Sequence, residues 1–271
     1  GFAESPNNEV ALVTELGQII RYRSKSTDVK RSSEKYGTDL SATITDASAQ
    51  PLLSIDNNPV PLKAIVYDLQ ANEWWIGSHR RGGLVQKETH LREAASPPLR
   101  PYFVNALFAE GDAIWIGAQT SANESGLWLH RAGNSPQVER QGIITGTINA
   151  IHGTSGDLWI GTDGQGAFFM RGGTQIERLT FESTKGGLRS NRIFAVYQDR
   201  EGIVWFGTDR GVCRYDRNSF RTATISIDAQ SNFIRSLLTT KAGVTYAGTN
   251  RGLFRLDAGL ELGGWQEIAE I

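Results

Sequence analysis

Short apolar runs alternate with glycine-bearing turns along this chain, and one phrase recurs. Gly202-Ile203-Val204-Trp205-Phe206-Gly207-Thr208 is an apolar run closed by glycine and threonine; Asp209-Arg210-Gly211 turns it, and Val212-Cys213-Arg214-Tyr215 resumes. The phrase returns as Gly156-Asp157-Leu158-Trp159-Ile160-Gly161-Thr162, Gly111-Asp112-Ala113-Ile114-Trp115-Ile116-Gly117 and Asn72-Glu73-Trp74-Trp75-Ile76-Gly77-Ser78. A worn copy is Gly243-Val244-Thr245-Tyr246-Ala247-Gly248-Thr249. A weaker one spans 11–22, with Val13 in the glycine position. Between Gly77, Gly117, Gly161, Gly207 and Gly248 the steps are 40, 44, 46 and 41 residues. A period in the low forties with two strands in each motif marks a repeat architecture.

An apolar run precedes each of the five clearer motifs, at 62–67, 102–108, 147–151, 193–197 and 233–238. A polar segment follows, as in Gln175-Ile176-Glu177-Arg178-Leu179, whose period of two marks a half-exposed strand. No segment of ten residues carries a helical period. Four strands of graded polarity in each repeat predict an all-β fold: a single β-propeller of about six four-stranded blades over 1–271, with seven as the alternative count. The innermost strand lines the axis and the fourth meets solvent. A β-helix, the linear alternative, has shorter coils. The step from Val13 to Gly77 is 64 residues, and 24–50 is rich in Ser, Thr, Asp and Lys, so that segment is expected to be an insertion in the first blade. That blade also starts almost at its second strand. Either residues 2–8 supply its innermost strand, or the natural chain continues past Ile271 and provides it.

Composition adds little but exclusions. Thirty glycines and seven tryptophans suit a many-turned β protein with aromatic packing. Twenty-eight basic residues against 29 acidic ones give a net charge of −1, which argues against a nucleic-acid partner. No run of about 18 apolar residues exists to insert in a membrane. Cys213 is alone, so no internal disulfide forms, and its apolar strand predicts a buried thiol.

Ser190-Asn191-Arg192-Ile193, followed by Tyr197-Gln198-Asp199-Arg200-Glu201-Gly202-Ile203-Val204-Trp205-Phe206-Gly207-Thr208-Asp209-Arg210-Gly211, closely resembles the repeat of two-component regulator propellers. About five repeats resemble it well and the sixth poorly. The resemblance implies a periplasmic or extracellular sensor propeller of a signalling system, with a membrane histidine kinase in the same or a partner chain. A cytoplasmic location stays open. Such propellers often run to more than six blades, followed by a further β-domain and a membrane segment.

Most residues of the motif are structural. Trp75, Trp115, Trp159 and Trp205 are expected to pack between blades. Gly83, Gly126, Gly166, Gly211 and Gly252 follow the hairpin turn, and Asp68 and Asp199 suit turns rather than acid catalysis. His79, His90, His130 and His152 lack metal-ligand spacing, and no nucleophile elbow, Walker loop or dinucleotide fingerprint is present. No cofactor, no metal and no catalytic residue is expected.

The rim loops are the remaining candidates, because loops on a rigid scaffold carry binding residues. The loops joining second to third strands bring His79, Arg80, Arg81, Gln119, Asn123, Asp163, Gln165, Asp209, Arg210, Asn250 and Arg251 to one face; the blade connections add Arg189, Asn191 and Asn232. Arg80, Arg81, Arg210 and Arg251 are expected to converge on the channel mouth, where guanidinium forks suit carboxylate or sulfate. The function expected is ligand or partner sensing without catalysis, with an oligosaccharide or other small molecule as ligand. An interaction scaffold is the main alternative, and a propeller lyase or hydrolase the third.

Overall fold

A computed structural model describes residues 2–7, 9–23, 43–47, 54–55, 58–87, 90–94, 103–119, 124–131, 137–141, 144–154, 156–216 and 219–270. The apolar runs form strands, the glycine turns form hairpins, and six four-stranded antiparallel sheets form a ring around a central channel. The protein is an all-β, six-bladed propeller, and no helix occurs among the described residues.

Blade I holds β1 (Phe2–Glu4), β2 (Glu9–Val13), β3 (Ile19–Arg23) and β4 (Thr43–Ala47); a short hairpin, β5 (Ser54–Ile55) and β6 (Asn58–Pro59), follows it. Blade II holds β7 (Leu62–Asp68), β8 (Glu73–Ser78), β9 (Gly83–Lys87) and β10 (His90–Glu93). Blade III comprises β11 (Phe103–Glu110), β12 (Ala113–Gln119), β13 (Ser125–Arg131) and β14 (Gln137–Gln141). Blade IV comprises β15 (Ile148–Thr154), β16 (Asp157–Thr162), β17 (Ala167–Arg171) and β18 (Thr174–Leu179). Blade V is β19 (Ile193–Gln198), β20 (Val204–Thr208), β21 (Gly211–Asp216) and β22 (Ser219–Ala223), and blade VI is β23 (Ile234–Thr239), β24 (Thr245–Thr249), β25 (Gly252–Leu256) and β26 (Gln266–Glu270). Residues 2–4 thus supply the innermost strand of blade I, with Phe2 opposite Leu12 and Glu4 opposite Val10. Of the expected insertion, 43–47 forms the fourth strand of blade I, and 24–42 and 48–50 lie outside the described residues.

The repeated residues hold the blades in three ways. Trp75, Trp115, Trp159 and Trp205 are no more than 6% exposed, each in a core between two blades. The motif glycines admit the next blade: a Cβ on Gly77, Gly117 or Gly161 would lie 2.7, 2.6 or 2.6 Å from Val104, Ile148 or Ile193, the first-strand anchors of the following blades. In blades II, IV, V and VI a hydroxyl after the motif glycine closes the hairpin, whereas blade III has Ala118 there. Ser78, Thr162 and Thr208 donate to the carbonyls of Gly82, Gly166 and Gly211 at 2.8, 2.7 and 2.8 Å. On the opposite face the aspartates make turns. Asp68 Oδ1 accepts from the amides of Gln70 and Ala71, while Asp199 takes Glu201 and Ile203 on Oδ1 and the Trp205 indole on Oδ2.

Candidate functional site

The innermost strands share a defect that shapes the channel mouth. In β7, β11, β15, β19 and β23 the register slips between the anchor and the residue two positions on: Leu62/Ala64, Val104/Ala106, Ile148/Ala150, Ile193/Ala195 and Ile234/Ser236. The skipped residue is a β-bulge, released from the ladder and re-aimed. Those residues are Lys63, Asn105, Asn149, Phe194 and Arg235, and all five line the central cavity of about 580 Å³.

One side of this ring is cationic and aromatic. Phe194 and Phe233 lie with centroids 4.5 Å apart. The Arg235 guanidinium sits 4.1 Å from the Phe233 centroid and 5.1 Å from that of Phe194, and Arg192 lies 5.4 Å from Phe194 on its own approach. Such placements favour the cation over the ring quadrupole. Arg235 Nε donates to Asn250 Oδ1 at 2.7 Å, which leaves its Nη donors without a hydrogen-bond partner among the described residues. Partial desolvation lowers the Arg235 pKa from its ordinary value, although the residue remains exposed and charged. Arg192 is neutralised instead: its Nε donates to Asp163 Oδ1 at 2.8 Å, which raises its pKa, and its Nη1 lies 3.7 Å from Asp209 Oδ2.

The other side is polar. Lys63 pairs with Glu15, and that hydrogen bond holds the Glu15 carboxyl below its usual range. His79 Nε2 lies 3.2 Å from Asn105 Oδ1 with its ring edge-on to Phe103, and burial lowers its pKa. Asn149 Nδ2 donates to the Ile193 carbonyl at 3.0 Å. Deeper in the channel His152 packs between Phe108 and Tyr197 and accepts the Gln198 amide on Nδ1, and burial pushes its pKa down to about 4. It is a neutral imidazole at pH 7.

The rim residues expected from sequence divide into groups. His79, Asp163, Asp209 and Asn250 touch the ring through Asn105, Arg192 and Arg235. Arg80, with φ of 71°, lies with His79 in a separate cavity of about 410 Å³ lined also by Pro59, Pro61 and Phe103. Arg81 reaches outward to Glu93 at 3.3 Å, and Arg251 to Asp228 at 3.5 Å. Arg210 stands exposed at its hairpin tip. The expected convergence of these four arginines on the mouth is therefore not what the structure shows, since none of them lines the central cavity. A hairpin between second and third strands leaves the blade one strand away from the axis, whereas a first-strand bulge faces it.

Other expected residues organise the backbone. Asn191 accepts the Phe181 amide and Asn232 accepts that of Ile225, at 2.7 and 2.6 Å. The Arg189 amide donates to Cys213 Sγ at 3.2 Å, and the Gln165 side chain covers Gly146. Gln119 ends β12, and Asn123 lies outside the described residues. Sequence reading missed Lys63, Asn105, Asn149, Phe194 and Arg235 as a set. Their signal is the repeated triplet of an apolar anchor, a variable residue and Ala or Ser.

Comparison with known proteins gives the same architecture. A family model described as two component regulator propeller matches residues 187–210, the stretch that carries the Phe194 bulge, Asp199 and Trp205. A search of curated proteins gave no match. Virginiamycin B lyase from Staphylococcus aureus superposes with a TM-score of 0.65 at 12% identity, over 99% of this chain and 83% of that one. YCF48 bound to D1 peptide gives 0.62 at 12% identity, over 98% and 79%. The extracellular domain of a putative one component system from B. thetaiotaomicron is 15% identical over 95% of this chain, at a TM-score of 0.44; this chain spans 33% of its length. At 12% identity the likenesses to the lyase and to YCF48 speak for the fold alone.

Proposed function

We propose that this propeller is the ligand-sensing unit of an extracytoplasmic two-component-type signalling system, and that it binds an acidic oligosaccharide at the channel mouth without altering it. The repeat match at 187–210 supports the signalling context, with a membrane histidine kinase in the same or a partner chain as the output. The observation that carries the ligand reading is Arg235, a first-strand bulge residue held against Phe194 and Phe233 with its Nη donors available. A guanidinium fork takes a carboxylate or sulfate in bidentate geometry, and the half-buried Phe194 and Phe233 rings beside it offer apolar edges to a sugar ring. Lys63, Asn105 and Asn149 continue the polar contacts around the mouth. His79 holds Asn105 and Asn250 holds Arg235, while Asp163 and Asp209 hold Arg192 beside Phe194. Arg80, Arg81, Arg210 and Arg251 lie outside this ring and add at most peripheral charge.

Calorimetric titration with tetragalacturonate and with neutral cellotetraose tests this. Wild type should bind the acidic tetramer and discriminate against the neutral one. Arg235→Ala should weaken that binding tenfold or more, and Arg80→Ala/Arg210→Ala should leave it within threefold. Equal binding by wild type and Arg235→Ala, or conversion of the sugar, overturns the proposal.

A further inference from the structure

Six blades have six boundaries in a closed ring, yet the described residues form five interblade cores. Blades I and II share one, as do II and III, III and IV, IV and V, and V and VI; none spans VI and I. The innermost strands of blades II to VI pack in succession, and β1 packs on β7, but β1 and β23 do not approach to a comparable extent.

The two faces that meet this boundary show what is missing. In β8 and β20 every residue is buried, because a neighbouring blade covers both sides. In β24 burial alternates. Ala247 faces blade V and is buried, while Tyr246 and Gly248 face the boundary and are half-buried. Their partners repeat the pattern: Phe254 is buried, and Leu253, opposite Gly248, is half-buried. Blade I mirrors this, with Ala11 and Val13 buried against blade II and Leu12 and Ile20, paired with each other, half-buried on the boundary side.

Gly248 identifies what fits between them. In blades II to V the bare α-carbon of the motif glycine receives the Val or Ile anchor of the next blade. Gly248 keeps the bare carbon, yet among the described residues the only atoms within 4 Å of a Cβ there belong to Ser236 of its own blade. No described residue anchors this socket. A glycine in a strand interior weakens the strand unless another backbone or side chain makes close approach.

We infer that the boundary between blades VI and I is a docking slot for one further four-stranded propeller repeat, whose first strand sets an Ile or Val against Gly248. The occupant presents one apolar face to Tyr246 and Leu253 and the other to Leu12 and Ile20. It extends the interface that blades II to VI already share, and it makes a seven-bladed ring with Arg235 beside a sixth bulge residue.

The test attaches a copy of residues 180–223, a complete connection and blade, after Ile271 and compares this seven-repeat chain with the 271-residue one. Leu253→Cys reports on the slot, since Cys213 is fully buried. The expected result is a rise in Tm of several degrees, a slowing of Leu253→Cys alkylation by tenfold or more, and loss of both effects when Gly248→Val fills the socket. An unchanged Tm with the appended repeat cut freely by protease overturns the inference. So does spontaneous Leu12→Cys/Tyr246→Cys disulfide formation without loss of Tm, because the ring then closes on itself. Slow alkylation in the 271-residue chain that quickens on dilution, with dimers in light scattering, overturns it in favour of a second copy.

Discussion

Gly207 and Ile234 lock blade V to blade VI. A Cβ on Gly207 would lie 2.7 Å from Ile234 Cγ2 and 2.9 Å from its Cβ, with the Ala195 methyl 3.0 Å away on the other side. A methyl enters this contact only by pushing two strands apart. Gly207→Ala should therefore cost about 1–3 kcal/mol, the usual effect of overpacking. Gly263→Ala, where no described residue lies within 4 Å of the added Cβ, should change stability by less than about 0.5 kcal/mol. Urea unfolding of the two variants checks the contrast; equal losses would place the lock elsewhere.

Trp205 does two jobs at once. Its ring is buried between blades V and VI, and its indole N–H reaches Asp199 Oδ2 at 3.1 Å. Trp205→Ala should cost about 3–5 kcal/mol, as for other buried large aromatics. Asp199→Ala leaves the Ile203 amide and the indole without their acceptor and should cost about 1–3 kcal/mol. Denaturant midpoints for both variants measure this, and a near-zero cost for Asp199→Ala would mean that solvent replaces the carboxylate.

The channel imidazole makes stability depend on pH. Burial lowers the His152 pKa from 6.5 to about 4, so between those values the unfolded chain binds a proton that the folded chain refuses. Stability should then rise with pH from about 4 to 6.5, and the loss is complete below the folded value. The His152 contribution is about 3 kcal/mol across the window. His79 and His130, also lowered mainly by burial, act in the same direction. Unfolding free energies from pH 4 to 7 for wild type and His152→Phe test the assignment: the variant, less stable overall because the Gln198 amide loses its acceptor, should show a flatter slope.

Cys213 should be inert while the protein is folded. The side chain is fully buried, and burial pushes its pKa up to about 12, so almost no thiolate exists at pH 8. Its reaction with an aromatic disulfide reagent should follow the unfolding rate rather than reagent concentration. A first-order dependence on reagent in native buffer would show an opening at β21 that the packing does not suggest.

What the sequence determined by itself is what local rules govern. Alternating and apolar runs set the strands, Ser78, Thr162 and Thr208 close hairpins beside them, and Asp68 and Asp199 cap turns within four residues of themselves. The motif tryptophans and glycines were legible as packing residues because their spacing repeats with the blade. Tertiary structure decided which polar groups meet at the axis. Phe194 and Arg235 are 41 residues apart, and only ring curvature and the two first-strand bulges bring that guanidinium to that ring. Arg81 and Arg251 look equivalent to Arg235 in sequence, but their hairpins start farther from the axis and their charges turn to Glu93 and Asp228. The boundary at Gly248 was equally invisible, because a motif glycine reads the same whether or not an anchor fills its socket. Local pattern fixes which element forms; facing the channel or a neighbouring blade depends on contacts between residues about a repeat apart, which no short window of sequence contains.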